Sequence, residues 1–171
     1  MRRHLVCILP FGVFIIGLWG CHPRARATPP EPETQTLAPL EAAQEPSIRD
    51  KDFREVPEVA AVYFELDKSE LRDDARETLK RNYDVLVQHP EWQVLVEGHC
   101  DERGTVTYNL GLGEVRAENI RKYYGSLGIP ATRIGTISYG KEKPVCTEHN
   151  EECWSKNRRG VTKIWQKPKG Q

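Results

Sequence analysis

Hydrophobic and polar positions divide the chain into three regimes. From Leu5 to Trp19 the residues are almost continuously apolar, broken by Pro10 and two glycines, behind the basic head Arg2-Arg3-His4. From His22 to about Pro57 apolar positions thin out, follow no period, and give way to Pro, Glu, Thr, Ala and Gln. Beyond Val59 regular patterns return. Val59-Ala60-Ala61-Val62-Tyr63-Phe64 is apolar and β-prone, which predicts a strand. Leu71, Ala75, Leu79, Tyr83, Leu86 and Val87 recur at helical spacing through Gln88, and Pro90 lies past the end. Gln93–Glu97 predicts a second strand, stopped by Gly98. Leu110, Leu112, Val115, Ile120 and Tyr123-Tyr124 predict a second helix from about Thr107 to Leu127, ended by Gly128 and Pro130. Ile134–Tyr139 and Gly160–Gln166 predict two further strands. The order β-α-β-α-β-β predicts an α+β fold, a two-layer α/β sandwich with the helices packed on one mixed sheet.

The first regime is shorter than the roughly 20 residues a membrane-spanning helix needs. It reads as a secretory signal over residues 1–20. It ends Leu18-Trp19-Gly20-Cys21, and a small residue followed directly by Cys resembles a lipobox, although Trp19 stands where a small residue is usual. In such signals the thiol is lipidated and cleavage leaves the Cys, here Cys21, as the new N-terminus. An ordinary signal peptide or an uncleaved anchor is the rival reading. Acyl chains partition into membrane at roughly 0.8 kcal/mol per buried CH2, so several chains on one Cys make a stable anchor. His22 stands where some bacterial lipoproteins carry an Asp for inner-membrane retention, which favours the outer membrane. Residues 21–57 cannot bury enough apolar surface to offset chain entropy and read as a flexible tether. Extended, such a tether reaches on the order of 100 Å. Residues 58–171 then form one domain.

Composition narrows the function classes. The 171 residues carry 25 basic and 25 acidic side chains, so no charge excess points to nucleic acid or to a strongly charged partner. No His-Glu-x-x-His pattern occurs, and no Ser or Cys has an evident base partner, so no metal or other cofactor is expected. A metal-dependent envelope hydrolase built on His99, Asp101 and Glu102 is the alternative class. His99 reads more simply as a structural residue at a strand end. The segment of most chemical interest is Val96–Thr105, which runs from a strand end through a polar, Gly-bounded loop into a helix. Such junctions are common ligand sites, because free helix amides receive an anion and a nearby carboxylate receives a cation.

Five motifs carry a family resemblance. Val62-Tyr63-Phe64-Glu65-Leu66-Asp67-Lys68-Ser69-Glu70-Leu71 looks like the opening strand of the peptidoglycan-associated lipoproteins. Glu97-Gly98-His99-Cys100-Asp101-Glu102-Arg103-Gly104-Thr105 looks like their central signature, with Cys100 where Ala is usual. Tyr108–Ala117, Ser138–Pro144 and Ser155–Arg159 complete the series in the same order, over about residues 59–166. The resemblance implies the fold shared by the C-terminal domain of outer-membrane protein A. It also implies noncovalent binding of peptidoglycan through the diaminopimelate of the stem peptide, with no catalysis. Carried onto this chain, Asp101 accepts from the diaminopimelate ammonium and Arg116 donates to its carboxylate, with Asp67, Thr105, Asn109 and Leu112 lining the pocket. Ser69 and Val106 depart from the best-known members. A periplasmic TolB-like propeller is the implied protein partner, within a Tol-Pal envelope and cell-division system. Arg158 and Arg159 are expected to organise a turn and the last strand rather than touch ligand.

Of the five cysteines, Cys7 leaves with the signal and Cys21 takes lipid. Cys146 and Cys153 bracket a short polar loop, and an exported domain meets an oxidising compartment, so a disulfide between them is expected. A metal site of Cys146, His149 and Cys153 is the rival. Cys100 is then left unpaired, under the binding loop.

Overall fold

The computed structural model describes residues 46–49 and 51–167. Cys7, Trp19 and Cys21, and with them the expected signal and lipidation site, lie outside the described residues. No helix of the described residues is long and apolar enough to cross a membrane.

The elements run β1 (Val62–Tyr63), α1 (Asp73–Gln88), β2 (Gln93–His99), α2 (Val106–Leu127), a single 3-10 turn (Ala131–Arg133), β3 (Ile134–Gly140), α3 (Glu151–Asn157) and β4 (Arg159–Trp165). The strands form one mixed sheet in the order β1-β4-β2-β3. β2 runs parallel to β3 and antiparallel to β4, which is in turn antiparallel to β1. Buried Val94, Val96 and Ile164 of the sheet meet Leu79 and Leu86 of α1 and Ala117, Ile120 and Tyr124 of α2 in one core. That is the two-layer α+β arrangement the periodicity predicts.

α1 follows from its apolar spacing: Ala75, Leu79, Asn82 and Leu86 are buried, one helical face. Asp73 and Asp74 in its first turn complement the helix dipole. α2 starts one residue earlier than the pattern suggests, because the Thr105 hydroxyl accepts from the Tyr108 amide and caps it.

Three differences from the expected elements have local causes. The first strand shrinks to two residues because the buried Asn82 side chain takes Ala60 out of the ladder. Its Oδ1 accepts from the Ala60 amide at 2.9 Å and its Nδ2 donates to the Ala60 carbonyl at 2.8 Å. β1 therefore covers only Arg159 and Gly160 of β4, and Arg54 pairs with Ile164 farther along that edge through two backbone hydrogen bonds. The last residues assigned to the tether thus already pack on the domain. Second, α3 stands between the last two strands, where no helix is expected. Its seven residues are too few to show a period, and it is fixed by its Asn150 cap and by a Cys146–Cys153 disulfide with Cα atoms 5.3 Å apart. Third, Gly98 does not stop β2, which continues to His99. It is instead a point of backbone contact: a Cβ there would overlap the Gly113 carbonyl oxygen and come within 2.6 Å of its carbon. Two glycines let α2 lie directly on β2, which brings its first turns over the end of that strand.

Candidate functional site

A cavity of about 250 Å³ opens where β2 ends and α2 begins. Of the residues expected there, Asp67, Asp101, Asn109, Leu112 and Arg116 line it. Thr105 does not; it caps the helix beside it. Arg103, Tyr108 and Arg158 line it as well and are not among those expected.

The floor is a loop held rigid by its own hydrogen bonds. The Cys100 amide donates to the Gly140 carbonyl at 2.7 Å and so keeps the loop's start on β3. Asp101 Oδ1 accepts from the Arg103 amide at 3.1 Å, a tight local turn. Asn109 Nδ2 donates to the carbonyls of Arg103 (2.7 Å) and Thr105 (3.1 Å), tying the loop to the first turn of α2. Asn109 is therefore a strut of the site as well as a wall. Asp67 enters from the opposite side with a left-handed backbone, φ 58°, and its carboxylate accepts from the Tyr108 hydroxyl.

Asp101 is buried and fully engaged. Oδ1 also accepts from Arg103 Nε at 3.3 Å, and Oδ2 accepts from Arg103 Nη2 at 2.6 Å and Arg158 Nη1 at 3.2 Å. Burial alone would raise its carboxyl pKa, but the hydrogen bonds from Arg103 and Arg158 outweigh that and hold it below the ordinary value. Arg158 also donates to the Phe64 carbonyl (3.0 Å) and to Glu151 (2.6 Å). It organises the chain as expected and faces the cavity too. Arg159 instead donates to the Lys143 carbonyl, away from the cavity.

Arg116 is buried, and its hydrogen-bond partners are neutral. Nε donates to the Lys68 carbonyl at 2.8 Å, Nη1 to the His99 carbonyl at 2.8 Å and the Cys100 sulfur at 3.4 Å, and Nη2 to the Glu65 carbonyl at 3.1 Å. Its guanidinium carbon lies over Phe64, 4.9 Å from the ring centre. The neighbouring carboxylates on α2 are used elsewhere: Glu118 with Arg121 and Lys122, and Glu114 with the Thr136 hydroxyl. Burial pushes the guanidinium pKa down, yet an arginine stays charged in proteins. One of its five N–H groups remains free. A buried cation that donates to no carboxylate and lines a cavity is suited to receive an anion.

Cys100 is buried and unpaired, and its thiol donates to the Asn109 carbonyl at 3.3 Å. Burial pushes its pKa up, so it packs as a small apolar group. The three-ligand site of Cys146, His149 and Cys153 does not form. The two sulfurs are bonded to each other, and His149 Nδ1 lies 2.6 Å from Glu102 Oε1.

His99 sits behind the cavity, buried, with Nε2 3.3 Å from Glu97 Oε2, while Glu97 also meets Lys163 Nζ at 3.1 Å. Burial lowers the His99 pKa, and the Glu97 contact only partly offsets this. An unfolded His takes up a proton below its ordinary value near 6.5, before the folded one does, so stability falls as pH drops through about 6.5. The depressed carboxyls of Glu97 and Asp101 protonate later and extend the loss into more acid solution. A chemical-denaturation series from pH 8 to 4 is expected to show this decline, and His99→Gln should flatten its first limb.

Comparison with known proteins bears on this site. The model of the OmpA family matches residues 63–158. A peptidoglycan-associated lipoprotein of Agrobacterium fabrum is 50% identical over 101 residues, 59% of this chain and 57% of that protein. One from Brucella melitensis is 46% identical over 101 residues, 59% of this chain and 60% of that protein. The chain thus matches less than two thirds of the length of these relatives. The crystal structure of the peptidoglycan-associated lipoprotein from Burkholderia pseudomallei superposes with a TM-score of 0.59 at 38% identity, over 61% of this chain and 88% of that one.

Proposed function

The chain belongs to the OmpA family, and on that premise we propose that it is an outer-membrane lipoprotein that binds peptidoglycan noncovalently and does no catalysis. Lipid on Cys21 holds one end in the membrane, residues from 21 onward span the gap, and the domain holds the wall. The relatives named as peptidoglycan-associated lipoproteins support this reading. The observation that carries it is Arg116, a buried guanidinium without a carboxylate partner, lining the same cavity as the Asp101 carboxylate.

Diaminopimelate offers an ammonium and a carboxylate on one carbon, so its pocket must present opposite charges a few ångströms apart. Arg116 takes the carboxylate through its free N–H, and Asp101 takes the ammonium. Leu112 and the Leu66 side of the cavity pack the aliphatic chain. Tethering raises the local concentration of wall, so a modest intrinsic affinity suffices. The Tol-Pal role and a TolB-like partner belong to the same proposal and rest on the family resemblance.

Asp101→Asn keeps the shape of the pocket but removes the negative charge at the proposed ammonium site, leaving Asp67 on the cavity wall. A charge-assisted hydrogen bond contributes about 1.5–3 kcal/mol, so affinity for diaminopimelate-type wall is expected to fall about 10- to 100-fold. Co-sedimentation of the full chain with purified sacculi measures this. Unchanged retention of Asp101→Asn would remove Asp101 from the site. Release of soluble muropeptides during the same incubation, suppressed by a chelator, would point to a metal-dependent hydrolase instead.

A further inference from the structure

Four acceptor positions of the Asp101 carboxylate are occupied. Three go to Arg103, through its amide, Nε and Nη2, and one to Arg158. A carboxylate offers about four lone-pair sites, so a further cation reaches Asp101 only by displacing one already there. The two arginines are not equally held. The Arg158 side chain is 6% exposed and has two other acceptors, Phe64 O and Glu151. The Arg103 side chain is 33% exposed and its guanidinium has no other hydrogen bond as close as that to Asp101.

From this we propose that Arg103 is an internal plug, its guanidinium filling the cation subsite on Asp101 until a ligand ammonium replaces it. The inference rests on the reading that Asp101 receives the ligand ammonium. A place for the displaced group is already built. Arg103 Nη2 lies 3.6 Å from Glu151 Oε2, and the guanidinium carbon lies 4.2 Å from the centre of the Trp154 ring. Trp154 is itself fixed by its indole N–H, which donates to Glu102 Oε1 at 2.7 Å. Both residues stand on α3, which the Cys146–Cys153 disulfide anchors. A short swing exchanges the Asp101 contact for a closer one to Glu151, while Arg158 stays as the fixed counter-charge. The plug makes the site selective: a ligand must bring an ammonium strong enough to compete with a forked guanidinium and a carboxylate for Arg116.

Isothermal titration of the full chain with the tripeptide L-alanyl-D-glutamyl-meso-diaminopimelate tests this. Arg103→Gln removes the competing charge and is expected to tighten binding about fivefold, the range of a partly exposed ion pair. In the unaltered chain, NMR should show the Arg103 Nε–H losing protection from exchange on adding tripeptide, while the Arg158 Nε–H keeps its own. Equal or weaker binding by Arg103→Gln, or an Arg103 Nε–H that stays protected at saturation, would overturn the plug. Failure of the unaltered chain to bind tripeptide and sacculi at all would refute the underlying wall-binding reading.

Discussion

Arg116→Gln is expected to abolish retention on diaminopimelate-type sacculi, with at least a 100-fold loss of affinity for the soluble tripeptide. Of the three arginines that line the cavity, Arg116 is the one with no carboxylate hydrogen bond, and its charge is already desolvated and pointed by three carbonyls. Its dehydration is complete before ligand arrives, so a new charge-assisted hydrogen bond contributes about 3 kcal/mol or more, which is the 100-fold. Gln reaches some of the carbonyls but carries no charge. Loss of this buried donor also weakens the fold, because the Lys68 and His99 carbonyls lose its hydrogen bonds at about 1–3 kcal/mol each, while the Glu65 carbonyl keeps the Lys68 amide. Arg116→Lys separates the two effects. It keeps the charge but cannot serve three carbonyls and a ligand at once, so it should recover more stability than binding.

The largest expected effect on stability alone lies at Gly98. Gly98→Ala puts a methyl group into the Gly113 carbonyl, a backbone group that cannot rotate away. Either α2 lifts from β2 or the strand bends, at about 3 kcal/mol. That corresponds to a melting temperature lower by about 10 °C for a domain of this size. Scanning calorimetry of the full chain measures it. A shift of less than about 2 °C would mean that the helix and strand separate with little resistance. Because the same contact carries α2 over the strand end, ligand affinity should fall along with stability.

The core elements were legible because their period comes from burial on one face. Leu79 and Leu86, and Val94 and Val96, are buried where the pattern places them. What was hidden depended on distant partners. The shortening of β1 turns on Asn82, whose polar side chain pairs with the Ala60 backbone 22 residues earlier in place of a strand. The strand order β1-β4-β2-β3 sets neighbours that no local pattern encodes. α3 carries an Asn150 cap and acidic residues in its first turn, a signal visible in the sequence but outweighed by its shortness. In the site, the placing of Asp101 and Arg116 in one pocket came from the family resemblance, and both line the cavity. The occupation of Asp101 by Arg103 was not legible, because it depends on a side-chain conformation. Nor was the neutrality of the Arg116 partners, because they are mainly backbone carbonyls, from the Glu65–Lys68 turn and the end of β2.

Wall type tests the pairing of Asp101 and Arg116 most directly. Peptidoglycan with lysine in place of diaminopimelate keeps the ammonium and lacks the carboxylate that Arg116 is proposed to hold. Side-by-side co-sedimentation of the full chain with the two kinds of sacculi should show retention on diaminopimelate-type wall and loss on lysine-type wall. Equal retention on both would contradict the account.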